Sequence, residues 1–323
     1  MTAFILRRIV STVGVLFALS VLVFLIFFAI PGIDPARQMA GRNPTPQTLA
    51  AVRQAFGLDR PLWVQYWRLM DHLVIRRDLQ SYSNRGVKVV PELAAAAPVT
   101  ISLVLGAAVL WVVGSIVVGV VAAVWRNSIV DRGLMLLSLA SLSIPVFWFG
   151  QVANLVTQDR WHSSPLFSWV PPLGYTPFAR DPAMWFKHLV IPWIVLAALY
   201  IGLYARIFRA SLIEVSGEDF VRTARAKGIS RFRVVVRHMV RTSLGPFASL
   251  FALDFGVLVG GGALLAEVVF GLPGIGQLTY QSLGGLDLPV IMAAVLYGGA
   301  LIIVSNAVVD VLYARLDPRV RAN

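Results

Sequence analysis

The sequence predicts an all-α integral membrane protein with six transmembrane helices and a partly helical outer segment after the first of them. Three observations predict it. Of 323 residues, 58% are hydrophobic and only 14% are charged, against roughly 45–50% apolar and about 25% charged in a soluble domain. Mean hydropathy is +0.76, and several apolar runs reach about 20 residues, enough to cross a hydrocarbon core of about 30 Å. The net charge of +12 is unevenly placed, as Lys and Arg are when they hold loops on one side of a membrane.

The first apolar run is Ile9 to Ile30, preceded by Arg7 and Arg8. It is too long for the apolar region of a signal peptide, and Pro31-Gly32 stands where a small-residue cleavage site would be. It reads as a permanent span with an inside N-terminus. Five more spans follow at about Pro98–Trp125, Gly133–Thr157, Leu189–Ile213, Pro246–Phe270 and Pro289–Tyr313. Six spans put both termini on one side. Arg126 and Arg132, the loop cations Arg222, Arg225, Lys227, Arg231, Arg233, Arg237 and Arg241, and the tail arginines 315, 319 and 321 all then fall inside, whereas 271–288 has no Lys or Arg and falls outside.

The expected organisation is an N-terminus and first span (1–31), an extracytoplasmic segment (32–97), and a five-helix core (98–323) with a basic loop at about 215–245. In the outer segment, Thr45-Pro46 reads as N-cap and first helical position, and Gly57 as a stop. Asp59 is expected to cap a second helix with Leu62, Tyr66 and Leu69 on one stripe, and Val89–Ala97 a third, ending before Pro98. Trp161, Trp169, Tyr175 and Trp185 in 158–188 suit a membrane–water interface.

Several chemistries are excluded or unsupported. The absence of cysteine removes disulfides, thiolate metal sites and Cys nucleophiles. The four histidines show no metal-ligand spacing. No basic patch interleaved with stacking aromatics points to nucleic acid. There is no G-x-S-x-G and no G-x-x-x-x-G-K-[ST]; the nearest string, Gly271 to Leu278, lacks the lysine. No enzyme is expected.

The most basic stretch is "EDFVRTARAKGISRFRVVVRHMVRT", Glu218 to Thr242. Ser216-Gly-Glu-Asp219 is an S-x-x-D capping pattern, and Gly228 is a left-handed stop, giving a helix of about eleven residues, Gly217 to Lys227. Phe220 and Ala224 are expected on one face, with Val221 and Lys227 near its edges. Ser230 is expected to cap a second helix that carries Arg233, Arg237 and Arg241 into the fifth span. An interfacial helix with its arginines at lipid phosphates and a protein-docking helix both suit the loop; the small residues Ala224, Ala226 and Gly228 favour docking.

This loop, read on to "SLGP", resembles the EAA loop of binding-protein-dependent ABC importer permeases of the dipeptide/oligopeptide/nickel family. Arg222, Thr223, Ala224 and Gly228 align with E-A-A-x-x-x-G. The resemblance covers nearly the whole chain, through "RRIVSTVGVLFALSVLVFLIFFAIPG", "FGLDRPLWVQYWR", "LSLASLSIPVFWFG", "FRASLIEV", "EVVFGLPGIGQL" and "DVLYARLDPRVR" in order. It implies the first-type permease subunit, in a prokaryotic inner membrane, with both termini cytoplasmic. It implies a second homologous permease, two ABC ATPase subunits or domains that carry ATP and Mg, an extracytoplasmic binding protein and a peptide substrate. Membrane lipid is its surrounding partner; no cofactor is expected in this chain. The cytoplasmic coupling helix that docks the ATPase would comprise Glu218, Asp219, Phe220, Arg222, Thr223, Ala224, Arg225, Ala226, Lys227 and Gly228. The alternatives are a nickel or other small-solute permease and an ATP-independent secondary transporter. Two features depart from the family: Gly245 before Pro246, where leucine is usual, and a long aromatic 158–188 loop.

Candidate translocation-pathway residues are Asp254, Ser141, Pro145, Gly260 and Gly261. An ionisable group inside a span is a functional hypothesis by default. Asp254, where the family often has glutamine, is open between contact with a peptide amine, a hydrogen bond between spans and an arginine pair. Glu267 and Asp310 read as structural or interfacial. Gly260-Gly261-Gly262 permits close helix approach or a bend. Ser141 and Pro145 are four apart and would share a helical face. The Leu272–Gly276 turn resembles the family's outer gate or hairpin.

Overall fold

The structure, a computed structural model, describes residues 2–28, 36–37, 45–82, 84, 86–285 and 287–316. Ile30, Pro31-Gly32, Arg319 and Arg321 lie outside the described residues, as do the side chains of Arg8, Arg231, Asp310 and Arg315.

The described chain is helical, with one isolated antiparallel bridge between Gln80 and Lys88. The helices are α1 (Thr2–Phe28), α2 (Pro46–Phe56), α3 (Leu62–Met70), α4 (Val89–Val124), α5 (Ile129–Ser143), α6 (Val146–Asn154), α7 (Pro182–Val215) and α8 (Asp219–Ala226). They continue with α9 (Phe232–Gly262), α10 (Leu264–Phe270), α11 (Ile275–Gly285) and α12 (Leu288–Leu316). Among the described residues, five helices are long and apolar enough to cross a membrane, or six if the bent pair formed by α5 and Val146–Arg160, which continues α6, makes one span.

Local signals hold where they need only a few neighbouring residues. Thr45 Oγ1 accepts the Thr48 N–H at 3.2 Å, Pro46 opens α2, and Gly57 closes it at φ +64°. The expected Asp59 cap does not form: α3 starts at Leu62 with Pro61 as its N-cap and no side-chain cap. Of the expected stripe, Tyr66 and Leu69 are buried, whereas Leu62 is exposed.

Three expected boundaries move. α4 does not end before Pro98 but runs through it for 36 residues, about 54 Å. Proline lacks only its own donor, and transmembrane helices tolerate that loss. The third expected span is broken: α5 and α6 meet at 99°. Ile144 precedes Pro145 and takes extended angles, φ −92° and ψ 120°, as residues before proline do. The fifth span begins at Phe232, with Gly245 and Pro246 inside the helix, and bends at Gly261, whose φ is +143°.

The chain forms two compact units. One comprises Met1–Thr100, Gly256–Val268 and Pro273–Val311. In it, Val23 and Phe24 of α1 pack with Tyr66, Leu69 and Met292, and the Tyr66 hydroxyl lies 2.7 Å from Ser20 Oγ. The start of α4 (Val89, Leu93, Ala96) packs with Ile275, Val290, Ala293 and Ala294. Buried Asp287 accepts from Ser81 Oγ and from the Tyr82 N–H at 3.1 Å, tying the segment between α3 and α4 to the start of α12. In the segment between α3 and α4, His72 Nδ1 sits 2.7 Å from Asp78 and holds its carboxyl below the usual range.

The other unit comprises Ile101–Phe255, Val269–Leu272 and Leu312–Asn323. Its core is aromatic: Trp111 stacks on Tyr200 at 4.3 Å and meets Tyr204 at 4.6 Å and Phe251 at 4.8 Å. α5 lies along α7 so closely that a side chain at Gly202 would run into Ser141 Oγ. Trp193 of α7 lies across Gly106 of α4 and donates its indole N–H to the Ser102 carbonyl at 3.0 Å.

Candidate functional site

The basic loop places α8 at the end of α7. α8 has eight residues and begins at Asp219 with Glu218 as N-cap, making no side-chain cap. The expected Ser216 cap is not made. Ser216 still has helical angles at the end of α7, and its hydroxyl donates to the Ile213 carbonyl at 2.6 Å. It thus joins its own backbone N–H in closing the last turn of α7 rather than accepting from a donor of α8. Gly228 does stop the helix as expected, at φ +75°, with its N–H bonded to the Arg225 carbonyl at 2.9 Å.

The faces of α8 differ from the expected ones. Val221 and Ala224 are both buried, in a cluster with Val120 and Val124 of α4, Phe208 and Leu212 of α7, and Val235 and Met239 of α9. Phe220 is 41% exposed and does not share the Ala224 face. Positions three and four apart in a helix are both neighbours, so Ala224 could be paired with either 220 or 221, and packing selects Val221. Ala224 is therefore a seat on this chain rather than part of an outward small face. Asp219, Phe220, Arg222, Thr223, Arg225, Ala226 and Lys227 are exposed. The Asp219–Arg222 pair, 3.5 Å apart and exposed on both sides, adds little stability. Phe232, Arg233 and Arg237 of α9 are also exposed. The result is a short helix whose apolar side belongs to a buried cluster shared with three long helices, with a basic, partly aromatic outer surface.

The chain has no cysteine, so single cysteines can report this surface. Ala226→Cys is expected to react with a water-soluble maleimide at least about tenfold faster than Ala224→Cys, in line with their exposed and buried positions. Equal labelling rates would contradict the assigned faces.

The pathway candidates separate. Asp254 accepts a hydrogen bond from the Tyr204 hydroxyl at 2.7 Å; of the three readings, the structure realises the bond between helices. No Lys, Arg or His lies within ion-pair distance of it among the described residues. Ser141 donates to the Ser138 carbonyl at 3.0 Å, packs against Gly202, and lines an apolar recess of about 200 Å³ with Leu137, Phe149, Val195 and Leu199. Pro145 caps α6 beyond the bend. Ser141 and Pro145 therefore do not share a helical face, because extended Ile144 interrupts the periodicity between them.

Gly260 faces α12: a side chain there would collide with Ile302 and approach the Gly298 carbonyl to 2.8 Å. Gly261 has open space but a backbone that L side chains rarely adopt, so it makes the bend. Both line a cavity of about 190 Å³, together with Thr100, Glu267 and Thr279. Glu267 is fully buried and accepts from Thr100 Oγ1 at 2.6 Å and the Gln277 N–H at 3.0 Å. Its neighbour Ile275 donates its N–H to Thr100 Oγ1 at 2.9 Å. The expected structural role of Glu267 is thus visible: it fastens α11 to α4 and α10. The acid within "LLAEVVF" was the signal for it. The Asp131–Arg209 pair carries no comparable local signal; Arg209 Nε and Nη2 each reach an Asp131 oxygen at 2.7 Å, and Asp131 also accepts the Asn127 N–H at 2.9 Å.

Comparison with known proteins finds two sequence profiles that match this chain. That of the N-terminal part of binding-protein-dependent transport system membrane components matches residues 1–104, and that of the binding-protein-dependent transport system inner membrane component matches residues 115–322. A chain of Brucella abortus (strain 2308), named for a peptide transport system permease, is 37% identical over 321 residues, 99% of each chain. The glutathione transport system permease protein GsiC of Salmonella paratyphi A is 36% identical over 321 residues, again 99% of each. A chain of Sinorhizobium fredii, named for a peptide ABC transporter permease, is 36% identical over 327 residues, 99% of this chain and 100% of that one.

Proposed function

Because the chain belongs to the family of binding-protein-dependent transport system inner membrane components, we propose that it is the permease subunit of an ATP-driven peptide importer. It is a multi-pass inner-membrane protein. With a second, homologous permease it forms the pathway for peptides delivered by an extracytoplasmic binding protein. Two ABC ATPase subunits or domains, holding ATP and Mg, supply the energy. The basic loops and both termini lie in the cytoplasm, as the distribution of Lys and Arg favours.

One observation carries this reading. Val221 and Ala224 of α8 belong to one buried apolar cluster with residues of α4, α7 and α9, while the exposed face of α8 is charged and aromatic and contains Phe220. A push on that face reaches three long helices through packed side chains rather than through a loop. That is the mechanical requirement for a subunit that receives work from a neighbour, since packed interfaces shift as bodies rather than deform continuously. Arg222, Arg225 and Lys227 meet the ATPase, Phe220 supplies the apolar anchor, and Gly228 turns the chain back toward the membrane.

The test is co-expression with a candidate second permease and ABC ATPases, followed by purification on this chain. ATPase activity is expected to be retained. Arg222→Glu with Arg225→Glu changes only exposed side chains, so insertion is expected to be unchanged while retained ATPase falls by at least about tenfold, as charge reversal at an interface implies. Full retention in the double variant would remove α8 as the docking element.

A further inference from the structure

Among the described residues three carboxylates are buried, and Asp254 contrasts with them. Asp131, Glu267 and Asp287 are buried and each accepts at least two hydrogen bonds, shared over both oxygens. Each joins segments distant in sequence and is satisfied where it stands. Asp254 is different. It sits within the α9 span, is only partly buried, and accepts one hydrogen bond, from Tyr204 to Oδ2. Its Oδ1 has no donor and no cation among the described residues.

A partly exposed carboxylate in a span cannot face lipid at acceptable cost; it faces protein or water. The lipid-compatible stripe of α9 is next to it: Leu250, Leu253 and Val257 are exposed, spaced three and four apart. Asp254 sits at the edge of that stripe, with Phe251 and Phe255 three before and one after it. Those two rings stack at 5.5 Å and are partly exposed. Behind them lie buried Trp111 and Tyr204 and partly exposed Tyr200. Asp254 thus has two aromatic neighbours on its own helix, one oxygen held by a phenol and, among the described residues, no donor on the other.

A carboxylate beside aromatic faces is the arrangement that takes an organic ammonium: the charge pairs with the acid, and the ring quadrupoles stabilise the C–H and N–H periphery. A bare metal ion would need more oxygen ligands than this site has. We propose that Asp254, with Phe251 and Phe255, is the station on the pathway that recognises the α-ammonium group of the peptide. This rests on the peptide-importer reading above. Tyr204 holds the carboxylate in place and is a positioning residue. A neutral glutamine at this position would retain the hydrogen bond but lose the charge preference.

The experiment uses the complete importer in proteoliposomes. Uptake of a dipeptide with a free amine is compared with that of its N-acetylated form. The binding protein's affinity for each is measured separately, and both are used at saturation. The unmodified importer is expected to prefer the free amine. Asp254→Asn is expected to reduce free-amine uptake about tenfold and leave acetylated uptake unchanged, so that the preference disappears; Asp254→Glu is expected to keep it. An unchanged preference in Asp254→Asn would overturn the proposal while leaving the importer reading intact. Loss of assembly with Asn but not Glu would also overturn it, assigning the charge to an ion pair with the second permease. No uptake of either peptide by the unmodified importer would instead sink the peptide reading.

Discussion

Arg209→Ala is expected to destabilise the unit containing α5 and α7 by about 3–5 kcal/mol, because it strips the partner from a buried carboxylate. Asp131 is 4% exposed and Arg209 21%, and the fork is bidentate at 2.7 Å on both arms. The Asn127 N–H would remain, so the acid would keep one bond and lose its counter-charge. Arg209→Lys keeps the charge but not the fork, and is expected to cost less. The check is thermal denaturation in detergent, with a double replacement of both partners by apolar residues of similar volume. That double variant is expected to be more stable than Arg209→Ala alone, since no unpaired charge is left behind. If Arg209→Ala melted with the unmodified chain, the pair would be a passive contact rather than the clamp between α5 and α7.

The second large effect lies under α8. Val221 is fully buried, in a cluster that also holds residues of α4, α7 and α9. Val221→Asp would bury an unpaired carboxylate at a cost of several kcal/mol, and α8 is expected to leave its seat rather than bear it. The adjacent Phe220→Asp changes an exposed position and is expected to leave the chain's own stability within about 0.5 kcal/mol. Both variants are expected to insert and both to lose ATPase retention, but for different reasons. Hydrogen exchange separates them: amides of α8 are expected to lose protection in Val221→Asp and keep it in Phe220→Asp. Retained protection in Val221→Asp would mean that the apolar seat does not hold the helix.

Much of the fold was legible because its determinants are local. Lipid-length apolar runs, the Thr45-Pro46 start and Gly57 stop of α2, and the Gly228 stop of α8 each depend on residues within a few positions of one another. The misplaced boundaries involve proline. Pro98 and Pro246 lie inside helices, whereas Pro145 breaks one; the three look alike in sequence because the outcome depends on what packs around the freed carbonyl. Ser216 illustrates the same limit at one residue. Its hydroxyl could serve either helix, and only the geometry of the α7–α8 corner assigns it to α7.

The candidate sites divide along the same line. The sequence by itself determined that a basic, glycine-stopped helix lies in a loop, and that Asp254 and Glu267 are acids in apolar surroundings, because composition and short spacing are enough for that. Only the tertiary structure decided that Asp131 and Glu267 are satisfied and that Asp254 is open at one oxygen. The Asp254 bond spans 50 residues, the Asp131 pair 78 and the Glu267 bond 167. It also decided that Val221, not Phe220, joins Ala224 in the core. The physical reason is common to both: helical periodicity says which residues neighbour one another along an element, but which face is covered and which charge finds a partner is set by the packing of helices distant in sequence.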